Sequence, residues 1–441
     1  MPTAAFTTLG CKVNQYETQR ILESFENAGF EVVPFTDVAD VYVINTCSVT
    51  SQAESKSRQT VRRAKRQNAE SRVVVTGCAA QMSINKGGSV EDADLLVPNP
   101  SKLETFDFFS ERFPAIVLSA AENAGRVVRS VKGRTRATVK IQDGCSVFCS
   151  YCSIPYTRPV MTSRPFSDVV AEVAQFAKRG YKEIILTGVL IGSYGPDTGS
   201  GGPDFEDLVE MLSDIQGIQR VRISSIEMRQ VTPRLVSLIK SGKVVPHLHI
   251  PLQSGSSKVL SDMNRPYSQD DYIGLCADLY SEVPGIGIST DIMVGFPTET
   301  EEEFLQSVKV CESVRYNKAH LFRFSPRYGT PADAFGDPID PQTKTERSRV
   351  LNAICNETRR EFFARHIGHD VEVLVEGKQQ QSGLLRGHTP NYLEVEFAGP
   401  QSLVGEICKV TVNAADEMVA SGELAAQGSA RARMIPLNVV N

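Results

Sequence analysis

Residues 144–153 read GCSVFCSYCS and place Cys145, Cys149 and Cys152 in a C-x3-C-x2-C spacing. A four-ligand zinc ribbon uses two C-x2-C pairs, and this stretch contains one such pair. Three thiolates can instead hold three corners of a [4Fe–4S] cluster and leave one iron open to a non-protein ligand. Cysteines that only fill a core are normally dispersed. The stretch therefore predicts a metal-binding loop whose fourth position is either open or filled from elsewhere in the chain.

Strand and helix patterns alternate on the carboxyl side of this loop, and one further strand comes directly before it. A charged helix at 342–366 ends the alternation. Six strands in this rhythm predict a partial (βα)6 barrel, although the pattern alone leaves an open doubly wound sheet as an alternative. The predicted strands are 137–143, 183–187, 220–226, 247–252, 286–294 and 319–324.

The amino-terminal quarter also alternates between strands and helices, which predicts a mostly parallel α/β sheet. Asn14 and Glu17 have capping-box spacing, so we expect a helix that begins near Asn14 and ends at Gly29. Thr50 is the expected cap of a long polar helix at 51–68. The predicted strands are AAFTTLG (4–10), DVYVIN (40–45) and RVVVTG (72–77).

The carboxyl-terminal part changes in texture after Gly368. DVEVLVEG, NYLEVEFAG and EICKVTVN are alternating strands separated by turn residues, which predicts a small all-β barrel. Residues 366–441 carry nine acidic against five basic residues. The resulting division is a first domain at 1–120, a linker at 121–136, a central domain at 137–367 and a barrel domain at 368–441.

Three further cysteines share one feature. Cys11, Cys47 and Cys78 each follow the carboxyl end of a predicted strand in the first domain. Loops at that edge of a parallel sheet converge on a binding crevice, so the three thiolates could form a second three-ligand site. Three unrelated core thiols are an equally weighted alternative. The remaining cysteines are predicted to be packing residues: Cys276, Cys311, Cys355 and Cys408.

The bulk composition is that of an ordinary globular chain, with 41% hydrophobic residues and a net charge of −5. No signal peptide and no bilayer-spanning apolar run is present, so we expect a cytoplasmic protein with reduced thiols and no membrane partner. Any nucleic-acid surface must be local. Segment 126–140 has six positive residues and no acid, which favours RNA contact over a charged linker. For the basic segment 51–70, a phosphate-binding face and a solvated helix face are equally weighted.

The motifs of the chain resemble those of radical S-adenosylmethionine (SAM) enzymes. CSVFCSYC, with Tyr151 before the last cysteine, is similar to their signature loop. LGCKVNQYE (9–17), NTCSVT (45–50) and TGCAAQ (76–81) resemble the methylthiotransferase branch, which places a second cluster-binding domain in front. TGVLIGSYG (187–195) and TDIMVGFPTETEEEF (290–304) fit the same family, and the terminal barrel resembles a TRAM domain, an RNA-binding module.

The resemblance implies two [4Fe–4S] clusters, with SAM on the open iron held by Cys145, Cys149 and Cys152 and sulfur on a cluster held by the other three cysteines. It also implies transfer of a methylthio group to N6-threonylcarbamoyladenosine at tRNA position 37. Expected partners are the tRNA anticodon stem-loop, a low-potential electron donor such as a flavodoxin or ferredoxin, and a sulfur source, with a monomeric chain. The other branches act on isopentenyladenosine in tRNA or on a ribosomal-protein aspartate. Candidate cofactor-binding residues are Tyr151, Thr187, Gly188, Glu227, Gln253 and Asp291.

Four other polar residues have weaker predictions. His247 and His249 alternate on one strand with no third ligand nearby in sequence, so we expect one inward-facing and one outward-facing side chain rather than a metal pair. Arg158 and Arg164 follow the cysteine loop and are candidates to contact tRNA or the threonylcarbamoyl carboxylate. A non-catalytic iron–sulfur or zinc RNA-binding protein is the alternative from another class. Two sets of three cysteines argue against it, because structural sites are normally closed.

Overall fold

The computed structural model describes residues 1–121, 135–195, 197 and 202–425. Most of the predicted linker 121–136, the first nine residues of the basic segment 126–140 and the tail 426–441 lie outside the described residues. Of the helices in the described part of the chain, none is both long enough and apolar enough to cross a bilayer.

The first unit is a five-stranded parallel sheet in the order β2-β1-β3-β4-β5. Its strands are β1 (Thr3–Thr8), β2 (Glu31–Val33), β3 (Val41–Thr46), β4 (Arg72–Gly77) and β5 (Leu95–Leu96). Its helices are α1 (Lys12–Asn27), α2 (Ser51–Gln67), α3 (Cys78–Asn85), α4 (Thr105–Arg112) and α5 (Pro114–Ala121). Apolar side chains of α1, α4 and α5 pack on one face and those of α2 and α3 on the other, so the sheet is buried on both faces.

The two predicted helix starts have different outcomes. Thr50 caps α2 as predicted, because its hydroxyl accepts a hydrogen bond from the Ala53 amide at 3.1 Å. The capping box at Asn14 and Glu17 is wrong, since α1 begins earlier, after Cys11. Both side chains are instead buried inside the helix and bond to distant parts of the chain, so long-range partners override the local pattern.

The central unit consists of two three-stranded parallel sheets, β6-β9-β10 and β11-β12-β13. Backbone hydrogen bonds from Val245 to Val221 and from Ile226 to His249, both 3.0 Å, join β10 to β11. The six strands therefore follow one another in chain order, which confirms the partial (βα)6 barrel over the doubly wound alternative. They are β6 (Arg136–Lys140), β9 (Glu183–Thr187), β10 (Arg220–Ile223), β11 (His247–His249), β12 (Gly287–Val294) and β13 (Lys318–Arg323).

The remaining elements of this unit surround the strands. A short antiparallel pair, β7 (Gln142–Asp143) and β8 (Thr162–Ser163), flanks the cysteine loop. The helices are α6 (Ile154–Thr157), α7 (Phe166–Lys178), α8 (Phe205–Ser213), α9 (Pro233–Lys240), α10 (Ser257–Asp262), α11 (Gln269–Glu282), α12 (Glu301–Val314) and α13 (Pro341–Ala364). Their apolar faces and the strands form the largest hydrophobic core of the described chain.

The last unit is a closed five-stranded barrel in the order β14-β15-β16-β18-β17, as predicted. Its strands are β14 (Asp370–Lys378), β15 (Leu385–His388), β16 (Glu394–Phe397), β17 (Ile407–Ala415) and β18 (Ala420–Leu424). The barrel packs against the central unit, where the Arg222 guanidinium donates to Pro390 O at 2.9 Å and Arg136 pairs with Glu376 at 3.0 Å. The loop after β15 therefore covers one end of the central strands.

A buried ionic cluster joins the first and central units. Glu17 of α1 pairs with Lys102 at 2.7 Å, Lys140 at 2.6 Å and Arg158 at 2.8 Å. Asp143 completes the cluster through Arg158 and Lys140, both at 2.6 Å. Burial opposes ionisation of Glu17, but the charges of Lys102, Arg158 and Lys140 outweigh it and hold the pKa of the carboxyl well below its ordinary range. The cluster fixes the first unit against the central barrel.

We expect Glu17→Gln to lower the free energy of unfolding by about 3–5 kcal/mol, because it leaves three buried cations with Asp143 alone. Urea unfolding of the full chain measures the loss. The pKa of Glu17 is lower in the folded protein than in the unfolded chain, where it is about 4.3. The carboxylate therefore stabilises the fold fully at pH values above the unfolded pKa, and this stabilisation is lost as pH falls through the folded pKa. The variant and the parent chain should therefore converge in stability in acid.

The matched control is Glu23→Gln on the same helix. Glu23 pairs with Arg20 at 3.0 Å, but the two side chains are 40% and 53% exposed, so the change should cost at most about 1 kcal/mol. An equal loss in the two variants would contradict the structural role assigned to the ionic cluster.

Candidate active site

Cys11, Cys47 and Cys78 lie at the carboxyl ends of three adjacent strands. Cys11 follows β1 and caps α1, Cys47 follows β3, and Cys78 begins α3 directly after β4. The strands end at the same level, since Thr8 is opposite Asn45 and Thr46 is opposite Gly77. All three cysteines line one cavity of about 530 Å³. The structure thus brings together the three thiols that the sequence grouped by strand position alone.

Close backbone packing holds these three loops together. A Cβ atom on Gly10, which has φ +93°, would lie 2.6 Å from Cys47 Sγ, so only glycine fits there. The Asn14 amide donates to Leu9 O at 2.9 Å and to Thr46 O at 3.0 Å. Asn14 therefore connects the residues that come shortly before two of the cysteines.

Cys47 and Cys78 are buried, and Cys11 is exposed along the wall of the cavity that Arg158 also lines. Burial raises the pKa of Cys47 to about 11, and loss of surrounding water also raises the pKa of Cys11, whereas the charge of Arg158 acts on Cys11 in the opposite direction. Metal ligation requires the thiolate. A buried thiolate lacks the water that would stabilise its negative charge, and a bound metal supplies positive charge instead. The site is therefore suited to thiolates that are metal-bound.

The second cysteine set lies on the loop after β7 and is held by the segment that follows α10. The side-chain amide of Asn264 donates to Val147 O at 3.1 Å and to Phe148 O at 3.0 Å. The backbone N–H of Ser150 donates to Met263 O at 3.0 Å. Arg265 Nη1 lies 3.3 Å from Cys149 Sγ. This arrangement fixes the loop and places a guanidinium beside one thiol.

Neither cysteine set has the spacing that one zinc ion requires. With Zn–S bonds of about 2.3 Å, tetrahedral geometry would bring thiolate sulfurs to about 3.8 Å from one another. Among the described residues, neither set has its three Sγ atoms all within 4.8 Å of one another. Three thiolates with wider spacing suit the corners of a larger cluster. Burial raises the pKa of Cys152 to about 12, so a thiolate at this position would need a compensating positive charge, which a bound metal supplies.

The candidate SAM-binding residues divide into two groups. Thr187, Gly188 and Asp291 line the same cavity as the first cysteine set. Gly188 is packed against Gln142, whose side-chain oxygen accepts from the Leu190 amide at 2.8 Å, so the turn after β9 is held beside the cysteine loop.

The other three candidates do not line that cavity, within the part of the chain that the structure describes. Tyr151 packs against the apolar side chains around Phe296, and Glu227 pairs with Arg265, the residue that contacts Cys149. Gln253 has φ +68° and forms backbone hydrogen bonds of 2.8 Å with Asp291 and Met293. Their assignment as cofactor-binding residues stays a prediction.

The expected opposite orientation of His247 and His249 is wrong. Both line the cavity, and both bond to Ser289 Oγ, at 3.2 Å and 3.0 Å. Residues two positions apart on a strand share a face, which explains the result. Asp291 lies 3.3 Å from His249, and ligand-capable atoms of His249, Asp291 and His320 lie within 4.8 Å of one another.

The two arginines that were candidate substrate contacts are already paired within the protein. Arg158 is 5% exposed and belongs to the ionic cluster. Arg164 pairs with Glu172 at 2.5 Å and donates to Lys140 O at 2.9 Å. Both side chains therefore have structural partners, and since Arg158 also lines the cavity, their contact with substrate stays a prediction.

Sequence reasoning missed two lysines that line the cavity, Lys12 and Lys318. Burial lowers the pKa of Lys12, and the charges of Arg136 and Arg222 lower it further. Lys12 lies inside the motif LGCKVNQYE, directly after Cys11, and that position was its only signal. Lys318 carried no signal, because only the fold places the start of β13 on the cavity that Lys12 also lines.

Comparison with known proteins identifies the family. Residues 3–97 match the family described as Uncharacterized protein family UPF0004, and residues 139–311 match the Radical SAM superfamily. The chain is 37% identical to "Threonylcarbamoyladenosine tRNA methylthiotransferase MtaB" of Bacillus subtilis, covering 93% of this chain and 94% of that protein. It is 33% identical to "tRNA-2-methylthio-N(6)-dimethylallyladenosine synthase" of Geobacillus thermodenitrificans, covering 95% and 82%.

The fold has relatives among solved structures. The radical S-adenosylmethionine methyltransferase TsrM of Kitasatospora setae, solved with tryptophan and a SAM analogue, superposes with a TM-score of 0.51 at 14% identity. The match covers 76% of this chain and 75% of that protein, and it shows a common fold. Together with the two family matches and the full-length relatives, it leads to one conclusion: the chain belongs to the radical SAM methylthiotransferase family, whose members are enzymes that use SAM and [4Fe–4S] clusters as cofactors.

Proposed function

We propose that this enzyme converts N6-threonylcarbamoyladenosine at tRNA position 37 to its 2-methylthio derivative, replacing the C2 hydrogen of the base with S–CH3. The observation that carries the proposal is the cavity itself. It is lined by the three thiols of the first unit, by strand residues of the central barrel such as Thr187 and Asp291, and by Tyr392 of the terminal unit. The names of the relatives at 35–37% identity support the choice of modified base.

The two cysteine sets have separate tasks in this proposal. Cys145, Cys149 and Cys152 hold the cluster that binds SAM, and Cys11, Cys47 and Cys78 hold the cluster that carries sulfur. When bound, the first cluster and SAM supply the radical chemistry that an unactivated aromatic C–H bond requires, which acid–base groups cannot provide.

The protein's own residues position these groups. Arg265 pairs with Glu227 and contacts Cys149 Sγ, so it places a positive charge beside the thiols that would hold the SAM-binding cluster. Arg158 does the same for the sulfur-carrying set, since its charge acts on the pKa of Cys11. Asn14 and Gly10 hold the loops of Cys11 and Cys47 together.

The anticodon stem-loop has a candidate docking surface on α2. Lys56, Arg63 and Arg66 are exposed and have no carboxylate partner among the described residues. In the basic segment 126–140, by contrast, Arg136 pairs with Glu376 and Lys140 with Glu17, so these two cations are not free for phosphate. We therefore propose α2 as a phosphate-contacting surface. The expected RNA contact of segment 126–140 stays a prediction, because its other four cations lie outside the described residues. The electron donor and the sulfur source are separate partners that act on the assembled enzyme.

Mass spectrometry of tRNA nucleosides from a deletion strain tests the proposal. The 2-methylthio form of threonylcarbamoyladenosine should disappear, the unmethylthiolated nucleoside should accumulate, and the intact chain should restore the product. Loss of the 2-methylthio form of isopentenyladenosine would assign the enzyme to the other tRNA branch. An unchanged nucleoside profile would count against both and would favour the ribosomal-protein substrate, which the acidic barrel would suit.

A further inference from the structure

The cavity beside the sulfur-carrying cysteines has an unbalanced charge. Its volume of about 530 Å³ is in the usual range for a small-molecule site. Two acidic side chains line it, and both have partners: Asp291 lies 3.3 Å from His249, and Glu394 pairs with Arg386. Neither acid forms an ion pair with Lys12 or Lys318 among the described residues.

Lys12 is the first of these lysines. It lies at the amino end of α1 and lines the cavity. It interacts electrostatically with Arg222 of the central barrel and with Tyr392 of the terminal barrel. Its side chain has no hydrogen bond or ion pair within the described residues. A partly buried ammonium without a partner is costly, and an anion beside it would offset that cost.

Lys318 approaches the same space from another unit. It begins β13 and lines the cavity, and it too has no carboxylate partner in the described part of the chain. Lys12, Lys318 and His320 all line this one cavity. Arg222, in contrast, is already satisfied by Glu183 at 2.7 Å.

The two candidate base modifications differ in charge. The threonylcarbamoyl group ends in a carboxylate, whereas the isopentenyl group is an uncharged hydrocarbon. A site that supplies a charged partner rejects an analogue lacking that group, because its own polar groups are then left unpaired in the complex. Size alone gives weaker discrimination.

We propose that Lys12 and Lys318 bind the carboxylate of the threonylcarbamoyl group and thereby select this adenosine over the isopentenyl form. The inference rests on the proposed function and adds the residues that would decide the substrate. It assigns Lys12 and Lys318 to substrate recognition, separate from cluster ligation by the neighbouring Cys11.

The test compares the affinities of the reconstituted full-length enzyme for two anticodon stem-loop RNAs at one salt concentration. One carries threonylcarbamoyladenosine at position 37, and the other carries the same group with its carboxylate converted to a carboxamide. The parent enzyme should bind the carboxylate RNA about tenfold or more tightly. In the double variant Lys12→Met/Lys318→Met this ratio should fall to about one, with affinity for the carboxamide RNA little changed.

The matched control is Lys56→Met on α2. Loss of a phosphate contact should weaken both RNAs equally and leave the ratio as in the parent enzyme. Lys318→Glu should go further and make the carboxylate RNA the weaker ligand. Iron content and SAM cleavage are measured in each variant, because Lys12 is adjacent to Cys11.

A ratio that is unchanged in the double variant would overturn the inference, and so would a parent enzyme that does not distinguish the two RNAs. These results are separable from failure of the proposed function. If the parent enzyme methylthiolates the threonylcarbamoyl RNA but the ratio is insensitive to both lysines, only the inference fails. If it methylthiolates an isopentenyl RNA alone, the proposed function fails as well.

Discussion

Replacement of Cys149 by alanine is expected to abolish reductive cleavage of SAM. The change removes one of three thiolates from the loop after β7, and a two-thiolate site cannot hold the cluster that binds SAM. We expect the rate of 5′-deoxyadenosine formation under reductant to fall by more than about 100-fold, since even changes outside the ligand shell cost metal sites 10- to 100-fold. Iron content should fall from about eight to about four atoms per chain, the content of one [4Fe–4S] cluster.

The control for this variant is Cys408→Ala. Cys408 lies on β17 of the terminal barrel, away from both cysteine sets, so its loss should leave iron content and SAM cleavage as in the parent enzyme. Recovery of full iron in Cys149→Ala, or cleavage at the parent rate, would contradict the assignment of this loop. One tightly bound zinc ion in the parent enzyme would instead support the non-catalytic alternative.

The parts of the fold that sequence predicted are those fixed by local forces. Buried runs such as VYVIN, and a cap such as Thr50, decide strands and helix starts within a few residues. The edge of the sheet then places Cys11, Cys47 and Cys78 together, because carboxyl ends of parallel strands meet. Strand rhythm predicted a partial (βα)6 barrel but left a doubly wound sheet as an alternative, and only the strand order in the structure decided between them.

The parts that sequence did not predict depend on pairs far apart in the chain. Glu17 meets Lys102 and Arg158, which are 85 and 141 positions away, so a local capping box was the wrong interpretation. His249 meets Asp291 and His320 only because three strands are neighbours in the barrel. No spacing rule brings Lys318 to the cavity of Lys12. Polar groups of the site are therefore the least predictable, since their partners come from different units.

Replacement of Cys11 by alanine is expected to have the opposite kinetic signature. Cys11 is exposed at the cavity wall, so its truncation costs little packing and leaves the loop after β7 intact. SAM cleavage should continue under reductant, while formation of the methylthio nucleoside should fall below detection. Iron content should again fall by about four atoms per chain. Measuring both products from one reaction, by mass spectrometry, separates radical formation from sulfur transfer.

Gly10→Ala gives an independent check that keeps all six thiols. Its Cβ atom would lie 2.6 Å from Cys47 Sγ at a backbone φ of +93°, so the loops of Cys11 and Cys47 must move apart. We expect the same signature as Cys11→Ala, namely retained cleavage with lost transfer. If Cys11→Ala and Cys149→Ala instead abolish SAM cleavage alike, the two sets do not divide the work. Both cysteine sets would then be needed for radical formation. Sulfur delivery to the substrate would no longer explain why Cys11 lines the cavity.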